Sequence, residues 1–224
     1  MDIQIKIKHR MGFCSDSSVD ITFPIHFVWE KHFFVSLSHK IIYCNMTPQD
    51  TKNILDAIKS RRSIRKYKKT PVPQELIDRV IEAGTYAATG KSQQPWLVVQ
   101  VTDEATKDRI RRANALIMGK SEDADPFYGA PVYLIVLAER ANPNHVYDGT
   151  LMMGNMMLAA HVLGLGSCWI NRAQQEFEQP EWKEWLKSIG VDGDYEGIAH
   201  LALGYPDETP RPAKPRKECV IKVQ

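Results

Sequence analysis

The chain has 224 residues, 43% hydrophobic and 25% charged, an ordinary globular composition that needs neither disulfides nor a structural metal to form a core. Its 29 basic and 27 acidic residues nearly balance, so the net charge gives no sign of bulk nucleic-acid binding. The four cysteines lack CxxC spacing, which argues against a zinc module, and no apolar run approaches the ~18 residues of a membrane span. We therefore expect a cytoplasmic protein with no membrane or nucleic-acid partner.

Residues 1–45 differ in composition from the rest of the chain. They hold five of the seven Phe and four of the seven His. They show no sustained helical or alternating period, and they lack the uninterrupted apolar region of a signal peptide. This N-terminal extension is either an accessory arm or upstream sequence before a natural start at Met46. The second interpretation is favoured, because the regular patterns begin at Met46.

Helix and strand signals follow from residue 46 onward. Thr47, Pro48 and Asp50 predict a capped helix start, and a second amphipathic helix ends near Gly84. Strands are expected at 97–102, 132–138, 167–171 and 196–204, with helices from the Asp103 cap to about Ile117, at 148–163 and at 180–189. The helix at 148–163 is almost wholly apolar, which predicts that it is buried or packed against a partner chain. The whole pattern predicts one mixed α/β domain over 46–224.

Two basic clusters lie at opposite ends of this domain. The first, RRSIRKYKK (61–69), has six basic side chains in nine positions, and the second is PRPAKPRK (210–217). Guanidinium groups and a serine hydroxyl suit a phosphate, and a fold could bring both clusters around one such group. From the residues alone, the favoured interpretation of the first cluster is a solvated helix end, with its cations at the negative end of the dipole. A nucleic-acid patch is the third alternative.

The remaining polar features point to a cofactor rather than to catalytic side chains. The loop AATGKSQQPW (87–96) either binds the edge of a planar heterocycle or only connects a helix to a strand. His161, His200 and Cys168 lie in apolar segments and are expected to be core residues. The sequence contains no P-loop, GxSxG or HExxH motif, and it predicts no metal site. If the protein is an enzyme, we therefore expect that a bound organic cofactor carries its chemistry.

Five segments, taken in order, resemble the FMN-dependent nitroreductase family. They are RRSIRKY (61–67), AATGKSQQPW (87–96), DPFYGAPVYLIVLA (125–138), DGTLMMGNMMLAAHVLGLGSCWINRA (148–173) and LALGYPDETPRPAKPRK (201–217). The resemblance covers about residues 53–217 and leaves out residues 1–45. It implies an α+β fold, with a central, mostly antiparallel sheet flanked by helices, in an intertwined homodimer that holds FMN at its interface. Residues 46–224 would be the FMN-binding domain, and the helix at 148–163 would form the core of the interface.

The resemblance also assigns binding residues. Four match the family's phosphate- and ribityl-binding segment: Arg61, Arg62, Ser63 and Arg65. Two match the late basic pair that closes on the same phosphate: Lys214 and Arg216. Ser92, where the family often has Asn, and Gln94 would lie beside the flavin. Three match the strand behind the isoalloxazine: Trp169, Ile170 and Asn171. Phe127 and Tyr128 match a segment that borders the substrate pocket, from this chain or its partner.

The implied activity is that of an NAD(P)H-dependent flavin oxidoreductase. NAD(P)H would pass a hydride to FMN and leave, and a nitroaromatic, quinone or similar small molecule would then take its place, which gives ping-pong kinetics. Same-fold relatives carry out dehalogenation, flavin fragmentation or dehydrogenation, and no residue here selects among these reactions. Two hypotheses from other classes also stand: a non-catalytic flavin-binding protein, and a nucleic-acid-binding protein whose affinity should fall steeply with salt.

Overall fold

The computed structural model describes residues 3–4, 22–23 and 47–223. The chain divides into two compact units, residues 1–51 and 52–224. In the first unit, the short strands β1 (Ile3–Gln4) and β2 (Thr22–Phe23) pair antiparallel. The two interpretations of residues 1–45 otherwise fall outside the described residues.

The helices and strands that follow agree with the predicted order. The helices are α1 (Pro48–Ser60), α2 (Gln74–Thr85), α3 (Glu104–Ile117), α4 (His145–Val162), α5 (Ala173–Phe177) and α6 (Pro180–Ser188). The strands are β3 (Trp96–Val101), β4 (Val132–Glu139), β5 (Gly166–Ile170) and β6 (Tyr195–Gly204). Most predicted bounds are right to within three residues. The short α5 and a single 3₁₀ turn at Gly90–Ser92 were not predicted. No described helix is long and apolar enough to cross a membrane.

Two helix starts form as their sequences predict. At α1 the backbone N–H of Thr47 donates to Asp50 Oδ2 over 2.9 Å, and the backbone N–H of Asp50 donates to Thr47 Oγ1 over 3.1 Å. At α3 the Asp103 carboxylate accepts from the backbone N–H of Thr106 over 2.8 Å. Both caps satisfy backbone donors that the first helical turn leaves without a partner.

The sheet has the order β3-β4-β6-β5, and every neighbouring pair is antiparallel. Strand β4 is buried on both faces, so its sequence is a continuous apolar run rather than an alternating one. Ile135 and Leu137 belong to a core that includes Phe177 and Trp182, whereas Leu134 and Val136 belong to a second core that includes methionines of α4. The α+β class and the antiparallel sheet flanked by helices are therefore confirmed.

Within the described residues, helix α4 is buried on one face and exposed on the other. Its Met152, Met153 and Met156 are fully buried, and a Cβ added at Gly84 of α2 would lie 2.6 Å from Met156 Cγ. The opposite face leaves Leu151 52% and Val162 65% exposed. Among the described residues, this helix therefore has one buried apolar face and one exposed apolar face.

Three smaller expectations concern buried polar residues. Cys168 and His200 are buried, as expected, and His200 Nε2 lies 3.1 Å from Glu176 Oε2 in the core. Burial raises the pKa of the Cys168 thiol, which therefore stays protonated near neutral pH. His161 is only half-buried, and its Nε2 lies 2.9 Å from Ser60 Oγ, so its assignment to the core was wrong.

Candidate functional site

The segment that carries the first basic cluster is held between β5 and the chain that follows β6. The backbone N–H of Ile64 donates to Ser167 O over 3.0 Å, and that of Lys68 donates to Tyr205 O over 2.9 Å. The backbone N–H of Asp207 in turn donates to Lys66 O over 2.9 Å. Because the chain beyond β6 pairs with this segment, the second basic cluster is carried back toward the first.

The two basic clusters line one open cavity of about 1330 Å³, here called the basic cavity. Six of the residues predicted to bind FMN line it: Arg61, Arg62, Ser63, Arg65, Lys214 and Arg216. The sequence alone could not establish that the clusters meet, and the fold shows that they do. A concentration of cationic groups around one cavity suits a ligand that carries a phosphate.

Arg61 and Arg62 have different environments in this cavity. Arg62 Nη1 donates to the carbonyl oxygens of Lys59 and Arg61 over 2.8 and 2.6 Å, so it caps the end of α1. Arg61 Nη1 is buried and has no hydrogen-bond partner among the described residues. Burial, and next the charge of Arg62, lower the pKa of Arg61. A buried donor without a partner is unfavourable, so Arg61 fits an anionic group bound in the cavity.

One acidic residue, Glu208, also lines the basic cavity. Its carboxylate accepts a hydrogen bond from the backbone N–H of Arg65, and so it anchors the segment 205–208 beside the basic run. The Arg65 guanidinium lies 5.9 Å from the centroid of the Tyr128 ring. Arg65 thus connects the basic cavity with a second cavity, which Tyr128 lines.

The second cavity, here called the Trp169 cavity, lies at the end of β5 and has a volume of about 250 Å³. Four of the predicted site residues line it: Tyr128, Trp169, Ile170 and Asn171. Trp169 Nε1 donates to Asn171 Oδ1, which fixes the indole against the end of the strand. Arg172 also lines this cavity, and it was not among the predicted site residues.

Phe127, predicted to border the substrate pocket, lies in the core instead. It has no exposed surface, stacks on Tyr133 with ring centroids 4.0 Å apart, and meets the edge of His200 at 5.3 Å. It lines neither the basic cavity nor the Trp169 cavity. In this chain Phe127 is therefore a packing residue, while its neighbour Tyr128 points to the site.

The loop that carries Ser92 and Gln94 lies apart from both cavities within this chain, and both residues are exposed. The loop is fastened to the start of α4. The backbone N–H of Gly90 donates to the buried Asp148 carboxylate over 3.2 Å, and Asn142 Nδ2 donates to Gln93 Oε1 over 2.7 Å. Lys91, Ser92 and Gln94 have φ of 54°, 56° and 49°, left-handed values that cost energy for residues with a side chain.

Asp148 was not among the predicted site residues, although its position in the sequence is unusual. It is a carboxylate in an otherwise apolar helix and is only 4% exposed. Buried acidic residues are rare unless their oxygens are paired, so its position predicts a specific partner. The structure identifies that partner as the backbone of the Ser92 loop.

Comparison with known proteins assigns the family. The model of the Nitroreductase family matches residues 58–205. The chain is 27% identical over 189 residues to an iodotyrosine deiodinase of Thermotoga neapolitana, an alignment that covers 76% of this chain and 97% of that protein. It is 26% identical over 184 residues to the NADPH-flavin oxidoreductase of Vibrio harveyi, covering 76% and 72%. The structure of a Bacteroides fragilis nitroreductase with bound FMN superposes with a TM-score of 0.69 at 30% identity, covering 76% of this chain and 98% of that one. The chain belongs to the nitroreductase family.

Proposed function

We propose that this protein is an FMN-dependent oxidoreductase that takes a hydride from NAD(P)H and reduces nitroaromatic, quinone or similar acceptors by a ping-pong mechanism. The observation that carries the proposal is the basic cavity, in which the buried Arg61 Nη1 has no partner among the described residues. The family match and the FMN-bound Bacteroides fragilis neighbour support FMN as the ligand. The Vibrio harveyi relative, named for NADPH, supports a nicotinamide donor.

Residues of the two cavities would share the binding of FMN. Arg61 and Ser63, with Lys214 and Arg216 from the tail, would hold its phosphate with charge-assisted bonds. Trp169, Ile170 and Asn171 would hold the ring system against the end of β5, beside the Trp169 cavity, which stays open to an acceptor. Bound FMN supplies the chemistry that accepts a hydride and donates electrons. The protein contributes position and electrostatics, and no side chain is assigned as a general acid or base.

We further propose that the active form is a homodimer. Ser92 and Gln94 lie outside both cavities in this chain, so a second copy would have to supply them to the flavin. The uncovered face of α4, with Leu151 and Val162, and the half-exposed apolar residues Ile54 and Ile58 of α1 provide surface for such a contact. In a two-fold dimer the same patch meets its copy, so one apolar face is sufficient.

Two alternatives remain within the same fold. The Thermotoga neapolitana relative is named as a deiodinase, so reductive dehalogenation is the reaction against which the nitroreductase activity has to be tested. A flavin-binding protein without turnover would use the same basic cavity. Flavin fragmentation and dehydrogenation are not favoured by any particular contact. We retain the cytoplasm as the proposed location, since the cysteine spacings show no disulfide framework.

A visible spectrum and an acceptor panel test the proposal. The purified protein should show bound flavin absorbance that NADH or NADPH bleaches under anaerobic conditions. Steady-state oxidation of the nicotinamide should then follow with a nitroaromatic, a quinone and 3-iodotyrosine, each tried separately. Sustained turnover with the nitroaromatic or quinone supports the proposal, and turnover with 3-iodotyrosine alone replaces it with dehalogenation. Flavin that no nicotinamide can reduce would leave the binding-only alternative.

A further inference from the structure

We propose that Arg172 makes the Trp169 cavity selective for planar aromatic acceptors that carry an acidic group, such as a carboxylate. The inference rests on the proposed function, because it assumes that an acceptor binds beside the ring system at the end of β5. It adds a substrate class and a residue that selects for it. The argument uses the backbone of Arg172, the anchoring of its side chain and the walls of the cavity.

Arg172 has a backbone conformation that an arginine rarely adopts. It lies two residues after the end of β5 and has a φ of 81°, in the left-handed region where glycine is the least costly residue. Tyr128, on the opposite segment, has a φ of 59° and lines the same cavity. Strained conformations of this kind persist where the surrounding structure enforces them, and they concentrate at functional sites.

The surrounding structure does enforce the position of the guanidinium. Arg172 Nε donates to Asn114 Oδ1 over 2.9 Å, and Asn114 Nδ2 donates to the backbone oxygen of Asn171 over 3.0 Å. Asn114 lies on α3 and has no exposed surface. A buried amide therefore uses both of its ends to fix one arginine and the backbone beside it.

The outer nitrogens of that guanidinium remain available. Nη1 and Nη2 of Arg172 form no hydrogen bond or ion pair with the described residues, although Arg172 is half-buried and lines the cavity. With Nε already bonded to Asn114, these two nitrogens present the paired donors that match a carboxylate. The Arg172 side chain makes no capping hydrogen bond to the short helix α5.

The rest of the cavity suits one aromatic ring. Met118, Tyr128 and Trp169 provide apolar and aromatic walls. The volume of about 250 Å³ exceeds the ~150 Å³ in which benzene binds in a protein interior. Asp125 also lines the cavity, but its oxygens accept from the backbone N–H groups of Phe127 and Gly129 and so belong to the local turn. Of the two charged residues that line the cavity, Arg172 is therefore the one that can bind a ligand, through its Nη1 and Nη2 donors.

The test compares two acceptors of the same shape that differ in charge, 4-nitrobenzoate and 4-nitrobenzamide. For the holoenzyme, we expect a higher kcat/KM for the benzoate. In Arg172→Gln the ratio of the two kcat/KM values should fall about tenfold or more, the loss expected for a charge-assisted bond. Arg109→Gln is the matched control, because Arg109 pairs with Glu181 and lies in neither cavity. Its ratio should equal that of the wild type.

A binding measurement separates failure of this inference from failure of the proposed function. Calorimetry with benzoate and benzamide requires no turnover, and Arg172→Gln should weaken benzoate binding about tenfold while it spares benzamide. If neither nitro compound nor a quinone is reduced, the proposed function fails and calorimetry alone decides on Arg172. Equal selectivity in the wild type and Arg172→Gln overturns the inference. If Arg172→Gln does not fold, Arg172→Lys replaces it, with a smaller expected loss because an ammonium lacks the paired donors.

Discussion

Replacement of Arg61 by alanine should weaken FMN binding without destabilising the protein that lacks FMN. Arg61 Nη1 is buried in the basic cavity and has no partner among the described residues, and Arg62 carries a like charge beside it. In the absence of an anion, burial therefore removes water from Arg61 Nη1, and no hydrogen bond compensates for that loss. With the FMN phosphate present, it would form a charge-assisted hydrogen bond.

The magnitude follows from that bond. Loss of a hydrogen bond to a charged group costs about 1.5–3 kcal/mol, which corresponds to a roughly 10- to 100-fold rise in the FMN dissociation constant. The free energy of unfolding of the apoprotein should stay the same or rise, because the substitution removes a partly buried charge whose Nη1 has no partner among the described residues. These opposite effects distinguish a ligand-binding arginine from one that maintains the fold, whose loss would lower both quantities.

The assay titrates apoprotein with FMN and follows the quenching of flavin fluorescence, with urea unfolding of the same apoprotein in parallel. Lys66→Ala is the control from the same basic run. Lys66 is exposed, lies outside the basic cavity and pairs with Asp207 at 3.2 Å, a surface contact worth about 0–1 kcal/mol. Arg216→Ala should behave like Arg61→Ala in the titration. Unchanged FMN affinity in both arginine variants, or an equal loss in Lys66→Ala, would refute the phosphate assignment.

Three further predictions concern the dimer, the pH dependence and the N-terminal extension. Leu151→Arg should convert a dimer into monomers in light scattering and release FMN. The substitution removes about 1.5–3 kcal/mol of stabilisation from apolar burial, and it does so twice in a two-fold interface. A dimer that persists would count against the α4 face as the interface. Burial raises the pKa of Tyr133. When the pH exceeds the ordinary tyrosine pKa of about 10, the unfolded chain therefore releases a proton that the folded chain keeps, and the free energy of unfolding falls as the pH rises. In urea titrations from about pH 8 to 11, Tyr133→Phe should reduce that fall in the free energy of unfolding by up to about 1.4 kcal/mol per pH unit. The control Tyr86→Phe, at an exposed residue, should leave the fall unchanged. Equal pH slopes for the wild type and Tyr133→Phe would contradict this prediction. A chain that begins at Met46 retains the Thr47–Asp50 cap and should keep FMN and turnover; loss of both would show that residues 1–45 are required.

The sequence predicted those parts of the fold in which one local signal decides the outcome. The caps at Thr47 and Asp103 depend on a side chain and a backbone donor three residues apart, so they are visible in the sequence. Strand β4 is also visible in the sequence, because a strand buried on both faces is an uninterrupted apolar run. The short α5 was missed because five residues with Gln, Glu and Phe provide too little periodicity to indicate a helix.

Tertiary contacts decided the remaining features. Phe127 and Tyr128 are neighbours in a segment that the resemblance assigned to the pocket, yet the positive φ of Tyr128 directs the two rings to different surroundings. The proposed role of Arg172 depends on Asn114, 58 residues away, and nothing in the sequence indicates that the Asn114 amide is buried. The meeting of the two basic clusters likewise depends on backbone pairing between residues 66–68 and 205–207.

Backbone strain gives a criterion for the site that does not depend on the resemblance. The described residues include five non-glycine residues with positive φ: Lys91, Ser92, Gln94, Tyr128 and Arg172. Three belong to the loop that Asp148 and Asn142 hold, and the other two line the Trp169 cavity. Each such conformation costs on the order of 1–3 kcal/mol, a large amount in a fold whose net stability is about 5–15 kcal/mol. Within the described residues the strain is confined to these two places, which supports the proposal that the loop of one copy and the cavity of the other form one site in the homodimer.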